Sequence, residues 1–155
     1  MSLRLRPFAA ADLQLVRPWF DDVETRRWLG GPDWPEETLR LCGPGRDAFL
    51  AIWQDEPVGL IDCESYPDRR ASFALVTAPQ LRGRGLGRAM IAVLLAAPRY
   101  DDTDEFIVGI EAGNVASERL MRAAGFALVA DTDDEGFRYF AWGRHGSPAQ
   151  AWVKP

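Results

Sequence analysis

The sequence predicts a single α/β domain. Segments with strand-like alternation exchange with segments of helical apolar spacing along the chain. A mostly apolar strand runs into a turn rich in glycine and arginine and then into an apolar helix. The 155 residues, 47% of them hydrophobic, suffice for one buried core without stapling.

Each element has a local cause. Leu3 to Phe8 alternates as a strand, and Ala10 to Leu29 carries Leu13, Val16, Trp19, Phe20, Val23 and Trp28 at mostly helical spacing, with Pro18 kinking or dividing that helix. Gly30-Gly31-Pro32 breaks the chain, Pro35 opens a short helix through Cys42, and Gly43-Pro44-Gly45 closes it. Ala48 to Gln54 and Val58 to Glu64 read as paired strands joined at Asp55-Glu56-Pro57. The apolar run Ala71 to Thr77 reads as a central strand. Gly87 to Ala97 is a largely buried helix that Pro98 ends, and Phe106 to Glu111 is a further strand. Asn114 caps a helix over Val115 to Ala124, with Gly125 as its terminator. Phe126 to Ala130 and Phe137 to Trp142 form a hairpin across the acidic turn Asp131 to Gly136. The domain is expected to span 1–145, with 146–155 as a C-terminal tail.

Composition narrows the function classes. A formal net charge of −5 disfavours general affinity for nucleic acid. Two cysteines, Cys42 and Cys63, and one histidine, His145, cannot furnish a conventional zinc set, so no metal is expected. No stretch approaches the roughly 20 apolar residues of a membrane span, and no apolar signal segment follows Met1. These observations point to a reduced cytoplasmic protein with no membrane or nucleic-acid partner, expected as a monomer or homodimer.

The segment Gln80 to Met90, QLRGRGLGRAM, reads as an anion cradle. Glycines 83, 85 and 87 permit close backbone approach, the following helix adds its positive end, and Arg82, Arg84 and Arg88 add forked donors. A Walker loop would need Lys and then Ser or Thr where Arg88 and Ala89 stand. The dinucleotide fingerprint G-x-G-x-x-G meets Arg88 at its third glycine. A ligand-free Arg/Gly surface turn is the remaining alternative on residues alone.

Arg82-x-x-Gly85-x-Gly87 resembles the R/Q-x-x-G-x-G/A pyrophosphate loop of the GNAT superfamily of acyl-CoA-dependent N-acyltransferases. A second motif agrees: Asn114 to Phe126 is similar to the N-x-x-A/S-x-x-L-Y-x-x-x-G-F signature that follows the fifth strand of these enzymes. Leu3-Arg4-Leu5-Arg6-Pro7 and Asn114 to Ser117 are most like the ribosomal-protein and aminoglycoside N-acetyltransferase branches. The resemblance implies a mixed, mostly antiparallel sheet, splayed between its fourth and fifth strands and flanked by helices on both faces. It also implies acetyl-CoA as cosubstrate, held by Arg82, Gly83, Arg84, Gly85, Leu86, Gly87 and Arg88, with Asn114 and Ser117 as further contacts. A backbone N–H at Leu75 or Val76 is implied for the oxyanion.

A protonated alkyl amine, with a reference pKa of about 10.4, must lose a proton before it attacks a thioester. Glu111, at the end of the fifth strand, is the first candidate base and Glu64 the second, each acting directly or through water; a solvated strand-end acid is the alternative for both. The signature tyrosine is Met121 here, so water, Tyr139 or Tyr100 protonates the departing thiolate, or it leaves unaided. Trp28, Asp33 and Trp34 combine indoles and an acid that suit a cationic acceptor, while core anchoring and helix capping explain the same residues structurally. The acceptor class is a small-molecule primary amine or a protein N-terminus. An acyl-CoA-binding sensor without turnover is the alternative function.

Overall fold

The computed structural model of the chain describes residues 2–146. Seven strands, β1 (Leu3–Pro7), β2 (Arg46–Trp53), β3 (Glu56–Ser65), β4 (Arg70–Thr77), β5 (Glu105–Glu111), β6 (Ala127–Ala130) and β7 (Phe137–Gly143), lie in the order β1-β2-β3-β4-β5-β7-β6. Every neighbouring pair is antiparallel except β4 and β5. Five helices flank this sheet: α1 (Leu13–Val16), α2 (Val23–Leu29), α3 (Trp34–Leu41), α4 (Leu86–Ala96) and α5 (Val115–Ala123). This is the expected mixed, mostly antiparallel sheet with helices on both faces.

The two faces are filled by different parts of the chain. Val16, Trp19 and Phe20 pack with Leu50, Ile52, Leu60 and Val76 on one face. Leu86, Met90, Ile91 and Leu94 of α4 pack with Ile61, Phe73, Phe106 and Phe140 on the other. Met90, Ile91 and Leu94 are wholly buried, and each such side chain is worth roughly 1.5–3 kcal/mol relative to exposure. The α4 axis lies so close to the sheet that a Cβ on Gly59 would overlap the Met90 thioether and stand 2.8 Å from Val76 O.

Two local expectations are corrected. The single helix expected over Ala10 to Leu29 is a 3-10 turn Ala10–Asp12, then α1, a second 3-10 turn Arg17–Asp21, and α2. Pro18 enters at the second 3-10 turn, and Asp22, extended at φ −73 and ψ 129, separates that turn from α2 and caps it by accepting from the Thr25 N–H. The β2–β3 turn is Gln54–Asp55, not Asp55-Glu56-Pro57, because both residues are left-handed (φ 52 and 63) in a two-residue hairpin closed by Trp53 and Glu56. Pro57, lacking an N–H for the ladder, falls beside a bulge between Ala51 and Ile52. Of the expected tail, only Gly146 is described, bridging back to Gly143; 147–155 lie outside the described residues.

The feature that positions the site is the incomplete pairing of β4 with β5. They pair only at Arg70↔Glu105, Ala71↔Phe106 and Ser72↔Ile107. Beyond these pairs β4 continues along β3 to Thr77↔Gly59, while β5 continues along β7 to Glu111↔Phe137. Each strand is satisfied on its outer side, so a wedge opens between them toward their C-terminal ends.

Candidate active site

At the open end of β4 the chain makes a short turn, Pro79–Leu81, and reaches the glycine-rich loop. Gly85 (φ 78) is the N-cap of α4 and has no side chain to offer, so the helix starts at Leu86, one residue earlier than expected. The Ala89 N–H is the first to bond back, to Gly85 O at 3.1 Å. The N–H groups of Leu86, Gly87 and Arg88 are the unsatisfied donors of the first helical turn, at the positive end of its dipole. Arg84 and Arg88 are exposed, and neither has an ion-pair or hydrogen-bond partner among the described residues. Gly83 is likewise left-handed (φ 79) and exposed.

Arg82, expected as a phosphate donor, is engaged with α2. Its Nη1 donates to Asp22 Oδ2 at 2.9 Å and its Nη2 to Thr25 Oγ1 at 2.6 Å. The charge at the start of the loop is matched by Asp22, whereas Arg84 and Arg88 have no partner among the described residues. Sequence spacing carried one faint signal of this, the Asp22-x-x-Thr25 cap.

The register separates Leu75 from Val76. The Tyr66 N–H donates to Arg70 O and the Ala78 N–H to Val58 O, so even-numbered residues of β4 face β3. The Val76 N–H therefore enters the β3 ladder, and the Leu75 N–H faces the opening. Counting from Ser72↔Ile107, Glu111 stands level with Val76 across the wedge, at the end of β5 and exposed to solvent. Glu64 does not share this location. It pairs with Ser72 at the closed end of the wedge, where the Tyr66 hydroxyl donates to its Oε2 at 3.3 Å and Arg46 Nη1 lies at 3.8 Å.

On the β5 side, Asn114 Oδ1 accepts the Ser117 N–H at 3.3 Å and caps α5, with both side chains half-buried. Met121, on α5, is buried in the core together with Leu86, Met90 and Ile91 of α4. The two tyrosines named as proton donors are engaged elsewhere. Tyr100, buried beyond the C-terminal end of α4, donates to Asp47 Oδ2 at 3.0 Å. Tyr139 packs over Gly109 and donates to Asp133 Oδ2 at 2.9 Å. Cys63 is buried in the core, and burial pushes its thiol up to about 12, which leaves no thiolate for acyl transfer.

The acceptor candidates lie on α2 and α3. Trp34 stacks on Phe20 with ring centroids 5.7 Å apart, so one face belongs to the core. Trp28 donates Nε1–H to Glu24 Oε2 at 3.1 Å and carries Arg27 over its ring. Arg17 binds Glu36 at 2.6 Å, and Arg40 binds Glu37. Asp33 differs from these acids: it is exposed, and its carboxylate has no partner among the described residues. Among the described residues no group of three or more His, Cys, Asp or Glu side chains could hold a metal ion, and no helix is long and apolar enough to cross a membrane.

Comparison with known proteins agrees with the fold. Residues 2–127 match the family model described as the acetyltransferase (GNAT) domain. The chain is 26% identical over 137 residues to an uncharacterised N-acetyltransferase, YfmK, of Bacillus subtilis strain 168, covering 86% of this chain and 92% of that protein. Its fold is similar to that of the aminoglycoside acetyltransferase AAC(6')-Ib in complex with coenzyme A, with a TM-score of 0.81, 20% identity and coverage of 93% and 96% of the two chains. A spermidine N-acetyltransferase from Vibrio cholerae, in complex with CoA and spermine, is similar at a TM-score of 0.76 and 17% identity, over 92% and 96% of the chains.

Proposed function

Since the chain belongs to the GNAT acetyltransferase family, we propose that it transfers acetyl from acetyl-CoA to a primary amine of a small cationic molecule, by direct attack in a ternary complex. The observation that carries this reading is the wedge between β4 and β5, which opens directly onto the glycine-rich start of α4. It supplies an anion cradle and a row of strand N–H groups on one continuous wall.

In this reading the pyrophosphate rests on the N–H groups of Leu86, Gly87 and Arg88, with Arg84 and Arg88 balancing its charge. Asn114 and Ser117 line the arm of the cofactor on the α5 side. Glu111, at the open end of β5, accepts the proton of the acceptor ammonium through water. The freed amine forms a C–N bond to the thioester carbonyl carbon, and the developing oxyanion faces the Leu75 N–H. The nitrogen gives its remaining extra proton to water, and collapse of the intermediate breaks the C–S bond and leaves a neutral amide. A thiol with a pKa near 8.5 leaves as thiolate without a dedicated acid, or takes a proton from water, which is consistent with Met121 at the signature position.

A cationic acceptor is favoured by the exposed Asp33 carboxylate, which has no partner among the described residues and falls in sequence between Trp28 and Trp34. The solved relatives in complex with CoA, one an aminoglycoside acetyltransferase and one holding spermine, belong to the same chemical class. The alternative, an acyl-CoA sensor without turnover, draws on the absent signature tyrosine. Release of free thiol from acetyl-CoA across a panel of aminoglycosides, polyamines and peptide N-termini decides. Thiol release with a polycation supports the proposal. Coenzyme binding with no release from any amine supports the sensor.

A further inference from the structure

The loop and the acceptor segment are joined by one polar knot. Asp22 Oδ2 accepts from the Thr25 N–H, from Thr25 Oγ1 and from Arg82 Nη1, each at 2.9 Å. Thr25 Oγ1 in turn accepts from Arg82 Nη2 at 2.6 Å. The hydroxyl proton goes to the carboxylate and the hydroxyl lone pair to the guanidinium, so each bond of the knot runs in the direction its chemistry allows. Thr25 is 3% exposed while Asp22 and Arg82 are partly open to solvent, which places the knot at the edge of the buried side of α2.

The rest of the loop has no comparable hold. A Cβ at Gly83 or Gly85 would meet nothing within 4 Å, and Arg84 and Arg88 have no partner among the described residues. Glycine-rich backbone of this kind loses the most conformational freedom when it is ordered. Leu81, packed in both core clusters, anchors the segment from below, and Arg82 anchors it sideways. The element reached by Arg82 is α2, whose other end carries Trp28.

We propose that Arg82 is a positioning residue that ties the anion loop to α2, so that the cofactor-side and acceptor-side walls of the site become ordered together. This rests on the loop being the coenzyme A cradle. The guanidinium stays on Asp22 when coenzyme binds, since its charge is already matched there and Arg84 and Arg88 have no partner among the described residues. The pair itself adds little to global stability, because Arg82 and Asp22 are 41% and 30% exposed. Its effect is local, on how tightly the loop and α2 move as one body.

Calorimetry and amide hydrogen exchange on the full chain, with coenzyme A as the probe, test this. In the unsubstituted protein, coenzyme A slows exchange in residues 83–88 and also in 23–29. Arg82→Ala lowers coenzyme A affinity by no more than about tenfold; at saturation it retains the slowing in 83–88 and loses it in 23–29. Asp22→Ser keeps a capping hydroxyl for α2 but does not reach Arg82, and gives the same split. Undiminished slowing of 23–29 in both variants overturns the tie. A loss of about a hundredfold in affinity for Arg82→Ala, with Asp22→Ser unaffected, makes Arg82 a phosphate ligand and also overturns it. No heat from the unsubstituted protein would remove the coenzyme cradle itself, and the tie with it.

Discussion

A Cβ placed on Gly87 would stand 3.1 Å from Leu120 Cδ2: the first turn of α4 is seated directly on the middle of α5. Thr77 Oγ1 lies on the same side, at 3.6 Å. Gly87 therefore serves two ends, offering an N–H at the helix start and letting two helices meet. Gly87→Ala gains roughly 1 kcal/mol of helix propensity and loses a similar amount if Leu120 must shift, so its stability is expected within about 1 kcal/mol of the parent. Gly87→Val adds branched bulk at the seam and is expected to cost about 2 kcal/mol or more. Urea unfolding of both variants measures the difference.

Arg84 and Arg88 are expected to act on the cofactor and not on the fold. Either one replaced by Gln should weaken coenzyme A binding on the order of tenfold, the worth of a charge-assisted hydrogen bond, with the melting temperature unchanged. Titrations at low and high salt check this, because the deficit shrinks as salt screens the anion. A salt-independent deficit would mean the arginines act through the loop backbone.

Glu111→Gln should lower turnover at neutral pH by on the order of a hundredfold while leaving coenzyme A affinity intact. Steady-state kinetics and calorimetry on the variant check this: turnover equal to that of the parent would assign proton removal to another group or to bulk water.

The Arg6–Asp12 pair ties β1 to the first helical turn and gives a pH-dependent prediction. Arg6 reaches both carboxylate oxygens at 2.7 and 2.8 Å, the Ala9 N–H adds a third bond at 2.9 Å, and Asp12 is held below the usual carboxylate range. A carboxyl whose pKa is lowered by folding stabilises the protein fully above its unfolded value, about 3.9, and loses that contribution as pH falls through the folded value. Asp12→Asn should cost about 1–2 kcal/mol at pH 7. In paired unfolding curves the difference should fade toward pH 2.

The two cysteines should separate in their reaction with iodoacetamide. Cys42 is exposed, whereas Cys63 is buried with its thiol pushed up to about 12. Mass spectrometry of the folded protein at pH 8 should find one adduct, on Cys42, and acetyl transfer should survive it. Modification of Cys63 without unfolding would contradict the packing.

What was legible in the chain was what neighbouring residues decide. The run from an apolar strand through Gly83 and Gly85 into the α4 helix, and the Asn114 cap with its Gly125 stop, could be read because each depends on a few adjacent side chains. The break at Asp22 was hidden because Val23 and Trp28 continue the helical period across it, and only the spacing to Thr25 marks a cap. Gln54 gave no warning of a left-handed turn, since its side chain rarely favours one. Distant pairings left no trace in any window. The parting of β4 from β5 came from family resemblance, the choice of Leu75 over Val76 needed the β3 register, and Arg82 reaches partners about 60 residues away.

β7 follows every other described strand in the chain, yet it stands between β5 and β6 and supplies the outer pairing for the whole length of β5. The outer hydrogen bonds of the strand that carries Glu111 are therefore completed only by a segment that follows it in the chain, and β5 is held over its full length only once the β6–β7 hairpin has closed against it.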